Sequence, residues 1–201
     1  MQIAQSGATG FKRPSREEGA TVTDVIDWET CPFERPVTVR ALDPPVMVEP
    51  PRAGEDGRPC KICNESDAAY LWTNERWRLR LREPTSLRGT VILETRCHID
   101  SFKDFPEDQL AEFGPLVANI ELAILRLGSI ARMHALRWGD GVAHFHMHFY
   151  PRPLGQLQLR GTFMEIWELL LPSLPVTAVH EAGAAVADAL TALQRTRRPA
   201  R

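Results

Sequence analysis

Residues 144–150 read His-Phe-His-Met-His-Phe-Tyr, and this alternation restricts the fold more than any other feature of the chain. In a β-strand, successive side chains point to opposite faces. His144, His146 and His148 then share one face, while Phe145, Met147 and Phe149 enter a core. Neighbouring imidazoles would stand roughly 6.6 Å apart along the strand, so one can hold a metal while the next meets a substrate. With six histidines in the whole chain, three in strict alternation are a poor fit to chance. A purely metal-binding strand of the cupin type would want a carboxylate ligand close by, and none follows.

Cys60-Lys61-Ile62-Cys63 is the second marker. Two thiolates separated by two residues form a knuckle that chelates tetrahedral zinc. A redox pair is the competing reading, but such a pair normally opens a helix after a thioredoxin-type strand. Zinc needs two further ligands, and His98 and His144 are the best placed; Cys97 is an alternative ligand or a small buried residue. Cys31, His134 and His180 belong to no constellation.

Between the markers the pattern is that of an α+β domain. Tyr70–Thr73 and Trp77–Leu81 read as a hairpin around Asn74-Glu75, and Gly89–Glu94 as an apolar strand. Pro106, followed by Glu107 and Asp108, marks a helix start. Leu110, Phe113, Val117, Ile120, Ile124 and Leu127 recur at three- and four-residue steps, predicting one long helix, kinked at Pro115 and stopped by Gly128. Ile130–Trp138 and Val142–Tyr150 read as antiparallel strands joined by a tight Gly139-Asp140-Gly141 turn. Met164–Leu170 and Glu181–Arg195 read as helices, the second with Ala184, Val186, Ala189, Leu190 and Leu193 on its apolar face. The expected architecture is an antiparallel sheet of about five strands with one long kinked helix.

Residues 1–57 read as an N-terminal extension, residues 58–153 as the domain and residues 154–201 as a C-terminal helical extension. Pro32, Pro36, Pro44, Pro45, Pro50 and Pro51 forbid regular helix in the extension. Val37 and Val39, or Val46 and Val48, could add an edge strand there; a surface-draped arm is the other reading.

The net charge of −2 leaves no basic excess for broad nucleic-acid binding, so any phosphate must be held in a local pocket. No apolar run is long enough to cross a bilayer, and the first residues lack a secretory apolar region. A cytoplasmic protein without nucleic-acid or membrane partners is expected.

The pieces CKIC at 60–63, GTVILETRCHID at 89–100, FPEDQL at 105–110 and HFHMHFYPR at 144–152 resemble, in order and spacing, the histidine triad family of nucleotide hydrolases and transferases. The resemblance is to its zinc-bearing branch, which shares a fold with galactose-1-phosphate uridylyltransferase, and it covers roughly residues 58–153. It implies that Cys60, Cys63, His98 and His144 hold a structural zinc. It implies that His146 attacks the α-phosphorus of a nucleotide and that His148 binds phosphate oxygens or positions the leaving group. A homodimer is implied as well. Asp140 and Arg152 are the candidate residues of the phosphate subsite, Asp140 standing where the family has an amide donor. An ionised carboxylate there repels phosphate, with Arg137 or Arg152 available to compensate. The alternative function is a catalytically quiet zinc module that binds a ligand or partner.

Overall fold

A computed structural model describes residues 23–38 and 40–196. Two helices of one turn, α1 (Thr23–Ile26) and α2 (Lys61–Asn64), precede the sheet. Strands β1 (Trp72–Thr73), β2 (Trp77–Leu81) and β3 (Val91–Thr95) lead to the long helix α3 (Glu107–Leu125). Strands β4 (Ile130–Leu136) and β5 (His146–Pro153) follow, and helices α4 (Met164–Leu170) and α5 (Val176–Thr196) close the chain. The strands form one antiparallel sheet of five in the order β1-β2-β3-β5-β4. This is the α+β architecture expected from the sequence.

The two-residue period sorts the sheet into a dry and a polar face. Trp77, Leu79, Val91, Leu93, Phe145 and Phe149 are buried in one cluster with Leu116, Ile120, Ala123 and Ile124 of α3 and Val186 and Leu190 of α5. Each such large side chain contributes about 1.5–3 kcal/mol by leaving water. On the other face the register aligns Arg78, Glu94 and His146 in one row, and Arg80, Ile92, His148 and Leu136 in the next.

The expected helix faces hold at all but one position each, and both are wider than expected. In α3, Leu110 is exposed while Leu116 and Ala123 are buried, because α5 packs over α3 and widens the covered stripe. The helix runs unbroken through Pro115. In α5, Ala184 is exposed, and Val179, Ala182, Val186 and Leu190 form the inner line. That helix begins at Val176, earlier than expected. In the N-terminal segment neither residue 37 nor residues 46–48 form a strand; Val39 lies outside the described residues.

The largest correction concerns residues 137–145. No tight turn forms at Gly139-Asp140-Gly141, and β5 starts at His146 instead of Val142. The backbone donors of this stretch are taken elsewhere: the Ala143 N–H goes to the Ala53 carbonyl at 2.8 Å and the Phe145 N–H to the Ile99 carbonyl at 2.5 Å. Antiparallel pairing between β4 and β5 therefore stops at Leu136 and His148. At its far end β5 extends to Pro153. Pro151 and Pro153 are tolerated because β5 pairs with β3 only as far as Phe149, and further on its second edge is open.

Gly183 marks how closely α5 approaches the hairpin. A Cβ there would stand 2.5 Å from Leu81 Cδ2 and 3.1 Å from Leu71 Cδ1. Gly183→Leu is expected to destabilise the protein by about 1–3 kcal/mol through overpacking, measured as a lower denaturant midpoint with an unchanged slope.

Candidate active site and metal centre

Cys60, Cys63, His98 and His144 come together, their donor atoms all within 4.8 Å of one another. Cys60 and Cys63 bracket the start of α2, His98 follows β3, and His144 precedes β5. His144 is wholly buried. Its Nε2 donates to the Thr95 carbonyl at 2.8 Å, which leaves Nδ1 as a lone pair facing both sulfurs at 3.4 Å. His98 Nδ1 lies 3.4 Å from Cys63 Sγ. Tetrahedral zinc, with Zn–S of ~2.3 Å and Zn–N of ~2.05 Å, requires N···S separations of roughly 3.5 Å. Two sulfurs and two imidazole nitrogens fill four positions and leave none open, so this is a structural zinc site. Burial of the sulfur, then the neighbouring Cys60, push the Cys63 thiol up to about 11 even though one flank of the residue is exposed. A cation reverses that balance and takes both cysteines as thiolates, with release of protons.

The N-terminal segment completes this centre. Arg52 pairs with Asp100 at 2.7 Å and with Glu55 at 2.6 Å, and donates to the Gly139 carbonyl at 2.6 Å. These contacts tie the segment to both sides of the metal site. Gly54 has φ +87°, and a Cβ on it would stand 3.2 Å from the His98 ring and 3.4 Å from Cys60 Cβ. The sequence reading missed Arg52 and Gly54. Their only signal was the polar Gly54–Arg58 run.

His146 and His148 lie on the polar face with ring centroids 5.5 Å apart. His146 Nδ1 donates to the His144 carbonyl at 2.8 Å. That hydrogen bond fixes the tautomer and leaves Nε2 with its lone pair. His148 stacks on Tyr150 at 5.8 Å and 7°. Burial, then electrostatic interaction with the neighbouring His146 and Arg82, push His148 down to about 4. It is therefore a neutral ring at physiological pH, able to donate one N–H.

Other expected contributors are placed differently. Arg137 is consumed in structure: it donates to the Asp100 carbonyl at 2.5 Å and lies over the Phe145 ring at 5.4 Å. Asp140 is exposed in the connection before β5. Arg152 shares the alternation phase of His148 but donates to the Gln156 carbonyl at 3.4 Å. Among the described residues, no hydrogen bond or ion pair brings Asp140 or Arg152 to His146 or His148. Arg82, which the sequence reading overlooked, is the cation beside His148; it also pairs with buried Glu168 at 3.2 Å. Cys97 is exposed and outside the ligand cluster. His180 contacts Glu83 at 3.0 Å, and His134 stands opposite Tyr150.

No protein-family model and no curated protein sequence matches the chain. Among solved structures it is similar to a hypothetical histidine triad nucleotide-binding protein from Sulfolobus tokodaii, with a TM-score of 0.53 at 16% identity over 70% of this chain and 97% of that one. The chain has the histidine triad fold. A zinc-bound histidine triad family protein from Mycobacterium smegmatis is also similar, with a TM-score of 0.49 at 19% identity over 68% of this chain and 94% of that one. His144 lies two residues before His146, the first residue of β5, so the metal ligand and the paired imidazoles follow one another along one stretch of chain.

Two measurements test the site. Purified protein should carry about one zinc per chain, lost in Cys60→Ser with Cys63→Ser, and a chelator should lower the melting temperature of the unmutated protein only. A site-resolved NMR titration should place the His148 midpoint near pH 4. Its folded value lies below the ordinary 6.5, so the unfolded chain binds the proton first. The stability contributed by neutral His148 is thus present above pH 6.5 and falls away as pH drops toward 4.

Proposed function

We propose that the protein is a nucleotide-binding hydrolase or nucleotidyltransferase of the histidine triad type, acting through His146 on a nucleotide or related phosphate ester. The observation that carries this reading is the 2.8 Å bond from His146 Nδ1 to the His144 carbonyl. It occupies Nδ1 and leaves Nε2 as the ring nitrogen available to a substrate. In the proposed reaction His146 Nε2 attacks the α-phosphorus, the bond to the leaving group breaks, and a phosphoramidate forms on the ring. As the N–P bond forms, positive charge grows on the imidazole, and the carbonyl facing its Nδ1–H stabilises it. Water or an acceptor alcohol then attacks the same phosphorus and returns His146. His148, kept neutral by burial, offers its N–H to a phosphate oxygen or to the leaving group.

Zinc has a structural role here, as its closed ligand set supports. Arg152 and Asp140 are proposed at the rim of the phosphate subsite, with Arg82 as the cation nearest His148. We assign the chain to the cytoplasm as a homodimer that uses the open edge of β4, and without a nucleic-acid partner. In support, β4 ends the sheet, and among the described residues no helix is long and apolar enough to cross a membrane.

The quiet-module reading has its own support: Arg137 is spent on Asp100, and exposed Asp140 adds negative charge to the loop before the triad. One experiment separates the two readings. With a nucleoside phosphoramidate as substrate, His146→Ala is expected to lose about a thousandfold or more in turnover while keeping its zinc. Acid-quenched unmutated enzyme should give a phosphorus NMR signal of a nucleotidyl-histidine. Full activity in His146→Ala rejects the mechanism, and failure to trap any adduct alongside absent turnover favours the quiet module.

A further inference from the structure

Of the five tryptophans, Trp138 alone is exposed, at 53%. It stands just past the end of β4. The chain is held on both sides of it. Arg137 donates to the Asp100 carbonyl at 2.5 Å and lies over the Phe145 and Phe102 rings at 5.4 and 5.9 Å. The Gly139 carbonyl accepts from Arg52 at 2.6 Å. The Trp138 ring itself, among the described residues, makes no hydrogen bond, ring contact or cation contact. A large flat ring is thus presented to water by an anchored backbone, and such rings supply much contact area to whatever covers them.

We propose that Trp138 is a stacking platform for a planar aromatic group of the substrate held at His146, either the nucleobase or an aromatic leaving group. This rests on the function proposed for His146. Position along the sheet carries the assignment. Leu136 pairs across the sheet with His148 and packs against Tyr150 and Met164, on the imidazole face. Arg137 turns the other way, toward Phe145 in the core. Side chains of an extended chain alternate, so Trp138 returns to the face of Leu136, roughly 6.6 Å further on. The β4–β5 register, continued by two residues, brings position 138 level with His146. Charge narrows the choice of ligand. Exposed Asp140, two residues on, opposes a second phosphate here, whereas a neutral ring is indifferent to it. An indole face accepts any planar ring, so the platform favours aromatic phosphate esters over aliphatic ones without selecting one base.

The test is NMR titration of the full ¹⁵N-labelled chain with AMP, phenyl phosphate and ribose 5-phosphate. Ribose 5-phosphate, which has no aromatic ring, is expected to shift His146 and His148 but not the Trp138 indole N–H. AMP should shift the indole N–H as well where the base is the stacked ring. A shift there with phenyl phosphate and not with AMP assigns the platform to the leaving group. Trp138→Ala should weaken binding of the ligand that moves the indole about tenfold, with no matching loss for ribose 5-phosphate, a split that a merely structural role would not give. Trp138→Phe should recover most of that loss. The indole shift is read on the unmutated chain, so the test stands if Trp138→Ala folds poorly. AMP and phenyl phosphate that both move His146 or His148 while leaving the Trp138 indole in place overturn the platform and leave the function of His146 intact. If none of the three compounds moves His146 or His148, the reading of that site fails and the platform fails with it.

Discussion

His144 joins the three parts of the site through three different atoms. Its Nε2 is anchored to the Thr95 carbonyl at 2.8 Å, its Nδ1 faces two thiols at 3.4 Å, and its own carbonyl accepts from His146 Nδ1 at 2.8 Å. Because all three belong to one residue, a metal held at Nδ1 would sit on the same residue whose carbonyl orients His146. Remote ligation thereby becomes a means of positioning: the second hydrogen bond of a ligating histidine sets its ring plane. Complete burial of His144 strengthens each of these contacts, since no water competes for them.

The polar face of the sheet is a balanced ionic surface, and that balance shapes what can lie beside His146. Glu94, its cross-strand neighbour, is 3% exposed, and burial raises its carboxyl above the ordinary range. The Tyr70 hydroxyl lies 2.9 Å from Glu94 and 3.0 Å from Glu65, but a phenol has a single hydrogen to donate. That one hydrogen is shared between the two carboxylates, and Arg80 adds an ion pair to Glu94 at 3.5 Å. Arg80 grips Glu65 at 2.8 Å, and Arg78 is spent on the Ile62 and Glu65 carbonyls. These arginines are therefore occupied before any substrate arrives. Among the described residues, Arg82 pairs with Glu168, has an Nε without a partner and is a cation acting on His148.

Those features were legible in the sequence to the extent that local periodicity governs them. The two-residue alternation placed Phe145 and Phe149 in the core and His146 with His148 on the other face, because a strand allows no third option. The Cys-x-x-Cys spacing and its two distant histidines were readable since zinc demands four soft or borderline donors. What could not be read were effects of tertiary competition. Gly139-Asp140-Gly141 has turn chemistry, yet the backbone of 143–145 pairs with Ala53 and Ile99, partners distant in sequence. Leu110 fits the helical period but faces solvent, since the position of α5, and not the period of α3, decides which stripe is covered. Arg52 and Gly54 carry no motif; their meaning comes from a close approach that only the folded chain creates.

That close approach also explains why the connection before β5 can be irregular without being loose. An unpaired backbone must find partners elsewhere or pay for desolvation. Here the Ala53 carbonyl, the Ile99 carbonyl and the Arg52 guanidinium supply them from two sides. Arg52 reaches Asp100 and the Gly139 carbonyl together, so it bridges the segment after His98 to the segment before His144. The two histidine ligands are thus held at their spacing by a planar cation as well as by the strands. A lysine could match the charge of Arg52 but not its fork of donors. The geometry of the metal centre, and through His144 the geometry of His146, therefore depends on a residue of the N-terminal segment that neither ligates nor touches the paired imidazoles.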